Sequence, residues 1–176
     1  MSLTEKQKHY LYKYNFERNL ILIWNPWVWK THIMKKLFDK LPKNEWLINK
    51  YWIDDWNFRE LITSGSMILK KPEDYKASVL NYPLEMCIRA KVLFFDDLWA
   101  SENVSEAQKT KLKFILDVRE SKWLITIISS NLNADEFAKL YWERIKSRIF
   151  NWKHPKWLDI LIIKWEDKRK ENISII

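Results

Sequence analysis

Glycine is almost missing. The chain has 176 residues and 1 Gly, where average usage near 7% would give about 12. Cysteine is equally scarce. The lone Cys87 excludes an internal disulfide and cannot by itself build a Cys-based zinc site. Three histidines, His9, His32 and His154, lie far apart in sequence and suggest no metal motif. No run of about 18 uncharged apolar residues exists, so no segment reads as membrane-spanning. The opening Met1-Ser2-Leu3-Thr4-Glu5-Lys6 lacks an apolar core, so secretion is not expected and the cytoplasm is.

What is present describes a folded chain. Hydrophobic residues make up 47% and charged residues 31%, which excludes disorder. The length suits one domain over 1–176 and is short for two. A formal charge of +8 permits nucleic-acid contact without establishing it. Basic residues gather at Lys35/Lys36, Lys70/Lys71, Lys109/Lys111/Lys113 and across 164–170. Such patches can contact phosphates, though an ordinary Lys-rich surface has the same composition.

Tryptophan fills the gap left by glycine. There are 12 Trp, and many stand among turn formers. Asp55-Trp56-Asn57 and Asn151-Trp152-Lys153 read as Asp-Gly and Asn-Gly turns. Asn25-Pro26-Trp27 and Pro155-Lys156-Trp157 are of the same kind. Trp123 precedes the apolar run Leu124 to Ile128, where a loop should enter a strand. A backbone position with φ > 0 suits Gly and strains a bulky residue. The expectation is that most or all of these Trp stand for Gly, through a UGA codon read two ways. The bland alternative is a genuinely Trp-rich protein.

Periodicity predicts alternating helices and strands. Helices are expected at 4–17, 30–40, around Phe58–Ile62 and Tyr75–Leu80, over Ser105–Arg119, and in two pieces over 133–150. Leu112, Ile115 and Leu116 share one face of the fifth of these, which Ser105 and Gln108 open with a capping box. Strands are expected at Leu20–Ile23, Leu47–Tyr51, Val92–Phe95, Leu124–Ile128 and Leu158–Ile163. Their continuous apolar runs indicate an α/β fold with a parallel sheet covered on both faces.

Four stretches carry candidate chemistry. Leu20 to Thr31 contains Trp24-Asn25-Pro26-Trp27-Val28-Trp29-Lys30-Thr31. With Gly at 24, 27 and 29 it reads G-N-P-G-V-G-K-T, a P-loop after a strand and opening a helix. Backbone N–H groups would then curl around phosphates, aided by the helix N-terminus. Lys30 would reach the β- and γ-phosphates and Thr31 would bind Mg²⁺. Taken literally, three indoles crowd that space and Lys-Thr is merely a helix start. Val92-Leu93-Phe94-Phe95-Asp96-Asp97 delivers two acids to a strand's C-terminal end. Asp96 fits a Mg²⁺-associated acid, and Asp97 would orient or deprotonate a water. Ile127-Ile128-Ser129-Ser130-Asn131 ends a strand in polar residues, and Asn131 can hold a water near the γ-phosphate or simply enter a loop. Glu143-Arg144-Ile145-Lys146-Ser147-Arg148 is a basic helix segment, either a solvated face or the source of an arginine finger.

Together and in this order, these stretches resemble an AAA+ ATPase of the helicase-loader clade. The likeness is to the DnaC/IstB-like loaders and, more distantly, to the DnaA initiator, over roughly residues 15–165. Phe94-Phe95-Asp96-Asp97-Leu98-Trp99 is similar to that clade's acid pair followed by Leu-Gly. Thr126 to Leu132 resembles its sensor-1 strand, so the role of Asn131 follows from the resemblance. Glu143-Arg144 to Arg148 resembles the arginine-finger segment, with Arg148 the first choice and Arg144 the second. The resemblance implies a five-stranded P-loop NTPase sheet, ATP and Mg²⁺ as cofactors, and ATP hydrolysis. It also implies a homo-oligomer, with single-stranded DNA and a replicative helicase or a transposase as partners. A full helical lid is not expected, because the chain ends about a dozen residues after its last apolar run. Two alternatives stay open: a P-loop nucleotide kinase, and a nucleotide-blind interaction module should the Trp be real.

Overall fold

The structure is a computed structural model that describes residues 4–24, 30–42, 49–63, 83–98, 104–132, 134–141, 143–150 and 158–163. In chain order the elements are α1 (Glu5–Lys13), β1 (Asn19–Trp24), α2 (Lys30–Lys40), β2 (Lys50–Asp54), α3 (Asp55–Thr63) and α4 (Pro83–Arg89). Then follow β3 (Val92–Leu98), α5 (Glu106–Ser121), β4 (Ile125–Ser130), α6 (Ala134–Leu140), α7 (Glu143–Phe150) and β5 (Leu158–Ile163). The strands form one parallel sheet in the order β2-β3-β4-β1-β5.

The apolar runs are buried on both sides, as period-2 alternation within an enclosed sheet requires. Ile21, Ile53, Leu93, Phe95 and Ile128 point to one face and pack with residues of α3 to α7. Leu20, Leu22, Val92, Phe94 and Ile127 point to the other and pack under α2, with Tyr14 beside them. Leu112, Ile115 and Leu116 are all buried along α5, and the Ser105–Gln108 capping box is present. Buried Arg119 ties this helix to its neighbours. Its guanidinium donates to the Cys87 and Ala90 carbonyls at 2.6 and 2.9 Å and to Thr126 Oγ1 at 2.9 Å. Among the described residues no helix is long and apolar enough to cross a membrane.

Several boundaries differ from the sequence expectation, each for a local reason. The first helix stops at Lys13 rather than 17, because Tyr14 turns inward in an extended conformation and is buried. Lys40 Nζ takes the freed carbonyls of Tyr12 and Tyr14 at 2.7 and 2.6 Å, a cation at a helix C-terminus. The second strand spans Lys50–Asp54 and so runs past the expected end at Tyr51, while Leu47 and Ile48 of the expected strand lie outside the described residues. Its register is set by Trp52 and Ile53 opposite Phe94 and Phe95, and Lys50 bends away to the Phe38 and Leu41 carbonyls at 2.6 and 2.8 Å. Asp55-Trp56-Asn57 is the first turn of α3 rather than a loop turn. The Asp54 carboxylate accepts from the Asn57 N–H at 2.8 Å and caps the helix. The strand expected to end at Phe95 continues through both acids to Leu98, and the one expected to end at Ile128 continues to Ser130. Pro83 opens α4, a suitable first position since its missing N–H has no helical partner to lose. The helix expected around Tyr75–Leu80 lies outside the described residues, as do the turns read at 151–153 and 155–157.

Candidate functional site

Strand β1 lies between β4 and β5, with β3 beyond β4. Ligands of open α/β sheets bind beyond the carboxyl ends of the strands, where the order reverses. Four sequence-predicted residues meet at that edge: Lys30 and Thr31 open α2, Asp96 and Asp97 lie near the end of β3. Asn131, directly after β4, joins them.

Lys30 is 2% exposed, and its Nζ lies 2.7 Å from Asp97 Oδ1. The same ammonium donates to Asn131 Oδ1. A buried ammonium requires such partners. Thr31 Oγ1 donates to Asp96 Oδ2 at 2.9 Å. Asp96 is buried, whereas the Asp97 side chain is 34% exposed.

Consecutive strand residues ordinarily point to opposite faces. Here both acids reach the first turn of α2, because β3 carries a bulge. Phe95 pairs with Ile128 and Leu98 with Ser130, so one extra residue is inserted between them. Asp97 has φ 50, a left-handed conformation that Asp tolerates better than most residues. Bulges re-aim side chains beside binding sites in this manner. Ser129, wholly buried in β4, donates to Asp96 Oδ1 at 2.6 Å and accepts from the Asp97 N–H at 2.8 Å.

The cluster sets two carboxylates against one ammonium. Thr31 and Asp96 supply hard oxygen donors 2.9 Å apart, a donor type that suits Mg²⁺. Magnesium bound through one or two protein oxygens takes its remaining ligands from water and phosphate. The residues present therefore fit the ion. An ammonium buried at a helix N-terminus fits a phosphate.

The other expected residues fall elsewhere. Trp24 is the last residue of β1, while Asn25, Pro26, Trp27, Val28 and Trp29 lie outside the described residues. Arg144 is exposed on α7, which packs against α5 and α6. Arg148 is on the same helix, its side chain outside those described. Ser129 joins the site although its sequence context, the polar strand end Ser129-Ser130-Asn131, pointed to Asn131 alone. Its signal was a small polar residue continuing an otherwise apolar strand.

No family model matches the chain, and no curated protein matches it either. Solved structures do. A DnaC helicase loader superposes with a TM-score of 0.59 at 21% identity, over 93% of this chain and 92% of that one. DnaI superposes with a TM-score of 0.60 at 20% identity, over 91% and 82%. AMPPCP-bound DnaA from Aquifex aeolicus gives 0.62 at 15% identity, covering 94% of this chain and 47% of its own. The likeness shows the fold: a parallel five-stranded α/β sheet covered by helices, like that of the DnaC, DnaI and DnaA structures.

Proposed function

We propose that this chain binds and hydrolyses ATP with Mg²⁺ and acts as a helicase loader or a helper of DNA replication or transposition. One observation carries the reading. Lys30 and Thr31, adjacent in sequence, each engage a different acid of the Asp96-Asp97 pair. A phosphate-binding cation, two Mg²⁺-side oxygens, a water-activating carboxylate and a polar strand-end amide then share one edge of the sheet.

In this reading the triphosphate draws Lys30 Nζ onto its β- and γ-oxygens. Asp97 and Asn131 are released from the ammonium and turn to the attacking water. Thr31 and Asp96 would hold Mg²⁺, which would supply positive charge against the phosphates. Arg148, or Arg144, of a neighbouring copy completes the site across a side-by-side oligomer. Single-stranded DNA as a partner is supported by the net charge of +8 and by a DnaA neighbour solved with AMPPCP and single-stranded DNA. A helicase partner is supported by the DnaC helicase-loader neighbour, and a transposase partner by the sequence resemblance alone.

Phosphate wrapping needs a backbone free of bulky side chains at 24, 27 and 29, and glycine is the residue we assign there. Trp123 supports this. It has φ 57 just after α5. Its N–H donates to the Glu120 carbonyl, and the Leu124 N–H to the Arg119 carbonyl. That pair of bonds is the Schellman closure, whose left-handed residue is usually Gly.

The test is ATP titration and phosphate release with the full chain made under its own codon assignment. Micromolar binding and release without an acceptor are expected, and Lys30→Ala should abolish binding. Binding undetectable in the unsubstituted chain would end this reading. Phosphate transfer to an added nucleotide, in place of release, would reassign it to the kinases.

A further inference from the structure

We infer that Ser129 is a positioning residue that orients both acids of the site through a single hydroxyl. The inference rests on the nucleotide-site reading above. Between the pairs Phe95–Ile128 and Leu98–Ser130, two residues of β3 face one residue of β4. The two are Asp96 and Asp97, and the one is Ser129. A bulge takes a backbone N–H out of the regular ladder, and a buried N–H needs another acceptor. Ser129 Oγ supplies it to Asp97 at 2.8 Å. That bond holds the left-handed backbone that aims the Asp97 carboxylate at Lys30.

A hydroxyl also has one proton to give. Ser129 gives it to Asp96 Oδ1 at 2.6 Å. The other oxygen of that carboxylate, Oδ2, then faces Thr31. Asp96 is thus fixed by both oxygens, and its Mg²⁺-side oxygen is defined by a residue that does not itself reach the ion. Partners of this kind, lying behind a metal ligand, are worth about 10- to 100-fold in metal affinity or activity when removed. Ser129 is 0% exposed, so water does not replace its hydroxyl easily.

The discriminating pair is Ser129→Thr against Ser129→Val, which differ by the hydroxyl at nearly equal volume. Ser129→Ala serves if the added methyl prevents folding. Three readouts are used: hydrogen exchange at the Asp97 amide, the Mn²⁺ dissociation constant in the presence of ADP, and the Mg²⁺ concentration for half-maximal turnover. Val (or Ala) is expected to speed Asp97 exchange and to weaken Mn²⁺ about 10- to 100-fold. It should raise the Mg²⁺ requirement similarly, with metal-free nucleotide binding kept within about two-fold. Thr should restore all three towards the parent values. Equal losses in Thr and Val would reduce Ser129 to a packing residue, and unchanged Mn²⁺ affinity in Val or Ala would overturn the role outright. Should the parent chain bind no nucleotide, the functional reading fails instead, while Asp97 exchange still judges the hydrogen bond.

Discussion

Lys30 Nζ and Asp97 Oδ1 stand 2.7 Å apart, so the cation assigned to the phosphates and the acid assigned to the water neutralise each other before any substrate arrives. In the proposed function ATP must compete with Asp97 for Lys30. Asp97→Asn removes that competitor, and it also removes the charge that repels phosphate. Turnover should fall by about 10²- to 10⁴-fold, the usual worth of a general base. ATP affinity should tighten by about five-fold, equivalent to about 1 kcal/mol. Fluorescent-nucleotide titration beside a phosphate-release assay measures both. Weaker binding in the variant would show that Asp97 holds Lys30 in a productive position rather than a competing one.

Much of this site was legible in the residues, and the unread part has one cause. Lys30, Thr31, Asp96 and Asn131 were placed by strand and helix periodicity together with the order of the four motifs. Asp96 and Asp97 were likewise expected together at the strand's end; how neighbours share one side was not legible, because strict alternation sends them to opposite faces. The bulge that defeats alternation depends on the pairing of β3 with β4, a non-local fact. The same limit explains Ser129, whose partners sit on another strand. Trp56 misled the reading because Asp-Trp-Asn resembles Asp-Gly-Asn, whereas Asp54 had already committed the chain to a helix by capping Asn57. Trp52 is a different case from Trp123. It stacks on Phe94 at 6.0 Å and 9° and meets Phe38 edge-on at 5.7 Å, which is a position an indole suits.

That contrast makes a prediction about Trp123. The residue is 64% exposed and left-handed, so a glycine gives up little buried area and removes the Cβ clash. Trp123→Gly should stabilise the fold by about 1 kcal/mol, or about 2–4 °C in Tm for a chain of this size. Trp52→Gly should destabilise it by about 3–5 kcal/mol, as large-to-small aromatic substitutions do. Urea unfolding of the two variants decides. In the gene, UGA is expected at 24, 27, 29 and 123 and UGG at 52. A UGG codon at 123 would remove the support that residue lends to glycine at the phosphate loop.

Cys87 gives a pH dependence. Burial pushes its thiol from an ordinary 9.0 up to about 12, with nearby Arg119 opposing the shift. Below pH 9 the thiol is protonated whether the chain is folded or not, and the stabilisation is complete. Between 9 and 12 the unfolded chain loses the proton and the folded chain keeps it, so stability falls as pH rises. The slope should be on the order of 1 kcal/mol per pH unit. Urea midpoints at pH 8 and 10 measure it, with Cys87→Ala flattening the profile. The native thiol should also resist iodoacetamide at pH 8, since the thiolate is the reactive form. Rapid labelling of the folded chain would contradict this burial.

The arginines of α7 bear on the proposed oligomer. Glu143, Arg144 and Ser147 are exposed, while Ile145 and Ile149 are buried. The helix therefore anchors by its isoleucines and presents Glu143, Arg144 and Ser147 outward, which suits contact with a second copy. An arginine acting in trans contributes only when that copy is bound. Arg148→Ala should leave ATP affinity within about two-fold and cut turnover by about 10³-fold or more at concentrations where the chain assembles. At dilutions where it is monomeric, variant and parent should turn over at the same slow rate. Mixing Arg148→Ala with Lys30→Ala should restore activity, because each supplies the half-site the other lacks. The Lys30 variant contributes an intact Arg148 to a neighbour whose own nucleotide pocket is sound. A mixture as inactive as its components would exclude Arg148 from the finger role, and the same experiment repeated with Arg144→Ala would then assign that role or remove it from α7.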